Sequence, residues 1–139
     1  MARRSRAREV ALQALYAVDL NPEQLKSQTD EFLASRLHNN VELIGFSSQL
    51  LVGVRRNQQQ LDSELAARTQ NWSLDRMAAT DRNILRLAAF EILYTDTPGR
   101  VAINEALELA KRYGSSQSPQ FVNGVLDRVL HDLSRDKSS

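Results

Sequence analysis

Apolar residues recur at three- and four-residue steps along almost the whole chain, the spacing of amphipathic helices. Between Arg3 and Leu20 they are Ala7, Val10, Ala11, Ala14, Leu15 and Val18, one face of a first helix. Arg4, Arg8, Leu12 and Tyr16 follow one another at i, i+4 and form a neighbouring stripe. Asn21-Pro22 ends this helix, because the residue before proline is pushed out of the α region. Pro22 then opens a second helix to about Leu37, with Leu25, Phe32, Leu33 and Leu37 as a thinner apolar face. His38-Asn39-Asn40 is a break. One long helical pattern runs from Val41 to about Arg68, with Leu43, Ile44, Phe46, Leu50, Leu51, Val54, Leu61, Leu65 and Ala66 on its buried side. Gly45 and Gly53 inside it cost about 1 kcal/mol each against alanine, tolerable where another helix crosses closely. The polar block from Arg55 to Gln60 faces water or a partner.

The second half is also helical, without an internal repeat at a fixed period. Thr69 to Ser73 is a connector in which Trp72 fills a gap between the two halves, and Ser73 caps a short turn from Leu74 to Ala78. From Ala79 to Tyr94 apolar residues wrap most of the way round the helix, as in a rod buried among other helices. The polar residues Asp81, Arg82, Asn83 and Arg86 crowd its front, which reads as an exposed tip capped by Thr80 or Asp81. Thr95 to Gly99 is a turn. Arg100 to Tyr113 is a helix with Ile103, Ala106, Leu107, Ala110 and Tyr113 inward and Glu108 set to pair with Lys111 or Arg112. Gly114 supplies a left-handed stop. Ser118-Pro119 opens a last helix to about Leu133, with Val122, Val125, Leu126, Val129 and Leu133 inward, before a polar tail. No strand pattern occurs. The chain reads as all-α, about seven helices in a single domain spanning 1–139, with helical halves of about 1–70 and 71–139.

Composition narrows the function classes. At 139 residues the chain has room for one core but not for a catalytic domain beside a recognition domain. No apolar run approaches the roughly 18 residues of a membrane span, and the basic N-terminus lacks the apolar stretch of a secretory signal. The absence of cysteine excludes disulfides and thiolate metal sites and fits a reducing cytoplasm. The net charge of +1 hides an asymmetry: Arg3, Arg4, Arg6 and Arg8 face only Glu9 within the first ten residues. An anionic partner would therefore meet one patch rather than the whole surface.

Candidate chemistry follows from that patch. The only histidines, His38 and His131, have no companions at metal-ligand spacing, and no phosphate-cradling glycine loop or nucleophile motif is present. The residues point away from catalysis, metal and cofactor. Guanidinium groups bind phosphates and release counterions, and Gln13 and Tyr16 on the same helix add a polar and an aromatic group for bases. A solvated basic helix end accounts equally well for the arginines alone. The second candidate is Gln117-Ser118-Pro119-Gln120-Phe121, where a helix N-terminus offers free N–H groups and Phe121, outside the main inward set, offers a ring for stacking or for packing beneath the loop.

ARRSRAREVALQALYAVDL, LLVGV, DRNILRLAAFEIL, RVAINEALELAKRYG and FVNGVLDRV resemble, in order and over essentially the whole chain, the corresponding blocks of the NusB family of transcription antitermination proteins. The resemblance implies two packed three-helix bundles and no enzymatic activity. It implies binding of boxA-type RNA together with NusE, a protein of the small ribosomal subunit, in the bacterial cytoplasm, with the transcribing polymerase engaged indirectly. Carried over by position, RNA would be met by Arg3, Arg4, Arg6, Arg8, Gln13, Tyr16, Gln117 and Phe121, and NusE by Leu74, Arg76, Asp81 and Arg82. Ser5 departs from the family pattern, standing where relatives often have a basic residue, and Gln117 stands where some relatives are acidic. Two other readings remain beside this one. One is an interaction module or homodimer whose basic helix serves a dimer contact. The other is a fragment of a ribosomal RNA methyltransferase, disfavoured because neither a cofactor fold nor a catalytic cysteine follows the helices.

Overall fold

The computed structural model describes residues 3–69 and 73–138; Trp72, expected to fill a gap, lies outside them. Within them the chain forms seven α-helices and one 3-10 turn: α1 (Arg3–Leu20), α2 (Lys26–Arg36), α3 (Val41–Arg56), α4 (Gln58–Ala66), the turn Leu74–Arg76, α5 (Ala79–Tyr94), α6 (Gly99–Tyr113) and α7 (Ser118–Ser138). α1 to α3 pack together as one bundle and α5 to α7 as another. α5 lies in the middle, touching α1, α3, α4, α6 and α7.

α1 buries its expected face, Ala7, Val10, Ala11, Ala14, Leu15 and Val18. It also buries Arg8 and Leu12 from the adjoining stripe, since it is wedged against both α3 and α5. Pro22 does not open α2. The chain turns through 21–25, and α2 starts at Lys26, where the Gln28 side chain accepts the Leu25 N–H at 3.1 Å. Leu25 is accordingly exposed, and Thr29, Leu33 and Leu37 are the buried residues of this segment. His38 and Asn39 take positive φ values of 53° and 57°, which reverses the chain, and Asn40 caps α3 by accepting the Leu43 N–H at 3.0 Å.

The expected single helix 41–68 is two helices. Asn57 leaves the helical region, and both its backbone N–H and its side-chain amide donate to the Gly53 carbonyl, at 3.1 and 2.8 Å, which closes the end of α3. α4 can then swing onto α5 and α7. Ala66, at its end, is exposed. Gly53 does mark a close crossing: a Cβ there would run into the Phe90 ring of α5. Gly45 does not, having open space around it.

α5 has the expected limits and a buried body, Ile84, Leu85, Leu87, Ala88, Ala89, Phe90 and Ile92. Its front differs from expectation. Neither Thr80 nor Asp81 caps it, Ser73 makes no capping bond to the 3-10 turn, and Asn83 and Arg86 are buried. Polar groups inside a bundle need partners, and here the partners come from other helices. Asp19 of α1 accepts Arg82 Nη2 at 2.7 Å and Asn83 Nδ2 at 2.9 Å, and Asp62 of α4 accepts Arg86 through both oxygens at 2.7 and 2.9 Å. The apparent tip is a knot tying three helices. α6 buries Ala102, Ile103, Ala106, Leu109 and Ala110, while Leu107 is half-buried and Tyr113 is exposed. Gly114 is extended (φ −93°, ψ −171°) rather than left-handed, and glycine is needed because a Cβ would strike Ser118. α7 runs five residues past Leu133.

Candidate nucleic-acid interface

α1 and α6 both lie on α5 and leave a seam between them that side chains bridge. At one end Ser5 Oγ donates to Glu105, and Arg8 Nη1 reaches the same carboxylate at 3.2 Å. Further along, Glu9 accepts Arg6 Nη1 at 2.6 Å, Arg112 Nη1 at 2.5 Å and the Tyr113 hydroxyl at 2.5 Å. The Tyr113 oxygen in turn accepts Gln13 Nε2 at 3.0 Å. Two clefts follow this seam, and a third lies apart from it. The first, of about 320 Å³, runs along Ser5, Glu9, Glu105 and Arg112. The second, also about 320 Å³, is walled by Gln13, Tyr16, Thr80 and Tyr113. The third, about 210 Å³, lies between the 3-10 turn and the start of α7 and is lined by Arg76, Asp81, Gln117 and Phe121.

The charges of the seam are fixed by their partners. Burial pushes the Glu9 carboxyl up, but the hydrogen bonds from Tyr113, Arg112 and Arg6 outweigh it and hold the group at about 2 against an ordinary 4.5. Burial and the bond to Glu9 raise the Tyr113 phenol above its usual value. At the inner knot, burial opposes the Asp19 charge, yet Arg82 and Asn83 pull its pKa below the usual range.

The residues expected at an RNA surface divide. Gln13 and Tyr16 line the second cleft and Gln117 and Phe121 the third, with Tyr16 and Gln117 exposed and Phe121 half-buried against the core. Arg6 stands beside them on Glu9, its side chain 41% exposed. Arg3 is exposed and has no ion pair among the described residues. Arg4 turns to the other side of α1, its guanidinium 4.6 Å from the centroid of the Phe46 ring. It lines a separate cleft there with Gln49 and Val101. Arg8 is removed from the surface: its Nε and Nη2 grip the two oxygens of Glu91 at 2.7 and 2.9 Å. Burial weakens the Arg8 charge, but Glu91 and Glu105 more than restore it and raise its pKa. Its i+4 place behind Arg4 suggested exposure; the approach of α5 decides otherwise.

The residues expected to meet a protein partner divide as well. Arg76 is exposed, and Asp81 is half-buried with its buried Oδ1 lacking a donor among the described residues. Leu74 is buried, and Arg82 faces inward: besides Asp19 it donates to the Leu74 and Met77 carbonyls at 2.9 and 3.1 Å, fastening the 3-10 turn to α5. Sequence reasoning overlooked Glu9, Arg112 and Tyr113. The signal was faint: one acid inside an arginine block, and a Lys-Arg-Tyr-Gly helix end. The pairing spans more than a hundred positions. Among the described residues no group of His, Cys, Asp or Glu is arranged to hold a metal, and no helix is long and apolar enough to cross a membrane.

Two helical bundles sharing a central rod, with a seam that presents arginines, amides and tyrosine rings, have the build of a small all-α binding protein. The chain belongs to the NusB family, whose model matches residues 5–131. It is 48% identical over 131 residues to the transcription antitermination protein NusB of Anaeromyxobacter dehalogenans, an alignment covering 94% of this chain and 92% of that one. Among solved structures it resembles T. maritima NusB, with TM-score 0.83 and 32% identity over 95% of this chain and 92% of that one. It also resembles a chain of a crystal structure of antitermination factors NusB and NusE in complex with dsRNA, with TM-score 0.84 and 28% identity over 95% and 98%.

Proposed function

We propose that this chain is a non-catalytic RNA-binding adaptor of bacterial transcription antitermination. It works in the cytoplasm, binds boxA-type single-stranded RNA together with NusE, and acts on the transcribing polymerase through that complex. The observation that carries the reading is a set of three clefts, one along Arg112, one walled by Gln13, Tyr16 and Tyr113, and one lined by Gln117 and Phe121. Family membership and the relative solved with NusE and dsRNA support its antitermination and RNA-binding parts.

The division of labour follows from side-chain chemistry. Arg3, Arg6 and Arg112 neutralise phosphates, which positions the strand and supplies most of the salt dependence. Tyr16 and Phe121 offer ring faces to unstacked bases, and Gln13 and Gln117 offer amides to base edges. Arg4, turned onto Phe46, meets only a strand that wraps the end of α1. Arg76 and Asp81 border the RNA cleft and form the NusE contact. Leu74 and Arg82 support this contact from beneath.

Fluorescence anisotropy across a salt series, with boxA-type, scrambled and duplex RNA and with or without NusE, tests the reading. Preference for the boxA-type strand, strengthened by NusE, is the expected outcome. Equal weak binding to every RNA, unaffected by NusE, would reduce the seam to a basic patch.

A further inference from the structure

Glu9 stands alone among the arginines that open α1, and its side chain is only 8% exposed. The carboxylate collects three donors from two helices: Arg6 from α1, and Arg112 with Tyr113 from the last turn of α6. The core does not require this arrangement, because the apolar faces of α1 and α6 are already turned to α5. A buried acid is costly unless it is fully paired, and a well-packed apolar residue often serves stability as well. What the arrangement does fix is the position of the donors. The two arginine side chains remain 41% and 61% exposed, so each guanidinium rests on Glu9 through one edge and keeps its other N–H groups for a second acceptor. Tyr113 is held twice, as donor to Glu9 and as acceptor from Gln13, which orients the ring beside Tyr16.

We propose that Glu9 is a specificity-determining residue of the RNA seam, pinning Arg6, Arg112 and Tyr113 as one array so that two guanidiniums meet the strand from opposite walls at a fixed spacing. This rests on the RNA-binding reading above and extends it to three residues of this chain. The carboxylate removes one unit of positive charge from the groove and supplies order in exchange. Without it both guanidiniums swing freely, attraction for any phosphate backbone rises, and the register that aligns bases with Tyr16 and the amides is lost.

The test uses the full chain and three variants, each titrated with boxA-type and scrambled RNA at several salt concentrations. Glu9→Gln should bind scrambled RNA roughly three- to tenfold more tightly, with a salt slope steeper by about 0.7, the value of one added single-strand phosphate contact. Its gain for the boxA-type strand should be smaller, so the ratio between the two falls. Arg112→Ala should weaken the boxA-type strand roughly three- to tenfold and flatten the slope by about 0.7. Tyr113→Phe keeps the charge and the ring but frees the array, so the ratio should fall with the slope unchanged. Arg112 and Tyr113 are exposed, so these two variants decide the matter even if Glu9→Gln fails to fold. Wild-type protein that discriminates, beside variants that match it in both ratio and slope, overturns the assignment of Glu9 alone. Wild-type protein that binds no RNA overturns the RNA-binding reading and the assignment with it.

Discussion

Arg6 and Arg8 stand two positions apart and do opposite work, which makes the residue scale the place to separate binding from stability. Arg8 is buried against Glu91 and Glu105, whereas Arg6 keeps 41% of its side chain in solvent. Arg8→Ala leaves a buried carboxylate unpaired and should cost about 3–5 kcal/mol of unfolding free energy in a urea titration. Arg6→Ala should cost under about 1 kcal/mol in the same titration, because its pair is half-exposed, and should instead weaken RNA binding. Tyr16→Ala removes an exposed ring from the second cleft and should weaken the boxA-type strand by about 1–3 kcal/mol, with the circular dichroism spectrum unchanged. An unchanged affinity would take Tyr16 out of the interface. Gln117→Asp places a negative charge beside the strand and should weaken binding most at low salt, where screening is least.

At the scale of the element, the two glycines of α3 answer differently to one substitution. Gly45 has open space where a Cβ would lie, so Gly45→Ala should stabilise by about 0.5–1 kcal/mol through helix propensity alone. Gly53 touches Phe90, so Gly53→Ala must push α3 and α5 apart and should destabilise despite the same gain in propensity. Thermal midpoints moving in opposite directions would verify both. If both variants were stabilised, the close crossing of α3 and α5 would be wrong.

For the whole molecule the relevant quantity is how stability changes with pH. Glu9 titrates at about 2 in the folded chain against an ordinary 4.5, and the Asp19 pKa is lowered as well. A depressed carboxylate stabilises the fold above its unfolded pKa and loses that contribution as pH falls through the folded value. Denaturant midpoints should therefore hold above about pH 4.5 and decline from there toward pH 2. Glu9→Gln should flatten part of that decline. Both pairs join α1 to the second bundle, Glu9 through α6 and Asp19 through α5, so acid should loosen the contact between bundles. A midpoint that stays level down to pH 2.5 would show that these pairs add nothing to the fold.

The sequence by itself determined the helices and the inward face of most of them, because periodicity and breakers act within a few residues of one another. The limits of α1 and α5, and most of the buried face of α7, were legible for that reason, whereas α6 turns Ala102 and Leu109 inward where Leu107 and Tyr113 were expected. Its blocks also carried the family, and with it the class of function. Tertiary structure decided what became of the charges. A charge on a helical wheel shows its direction from the axis but not whether another helix arrives to cover it. So Arg8, Arg82 and Arg86, which read as surface groups, became internal ties. So too the long helix broke at Asn57, where packing α4 onto α5 and α7 outweighed continuing one helix into solvent. Glu9, Arg112 and Tyr113 form one cluster only because α1 and α6 share α5 as a floor. Contacts of that kind lie a hundred residues apart along the chain, and no local pattern records them.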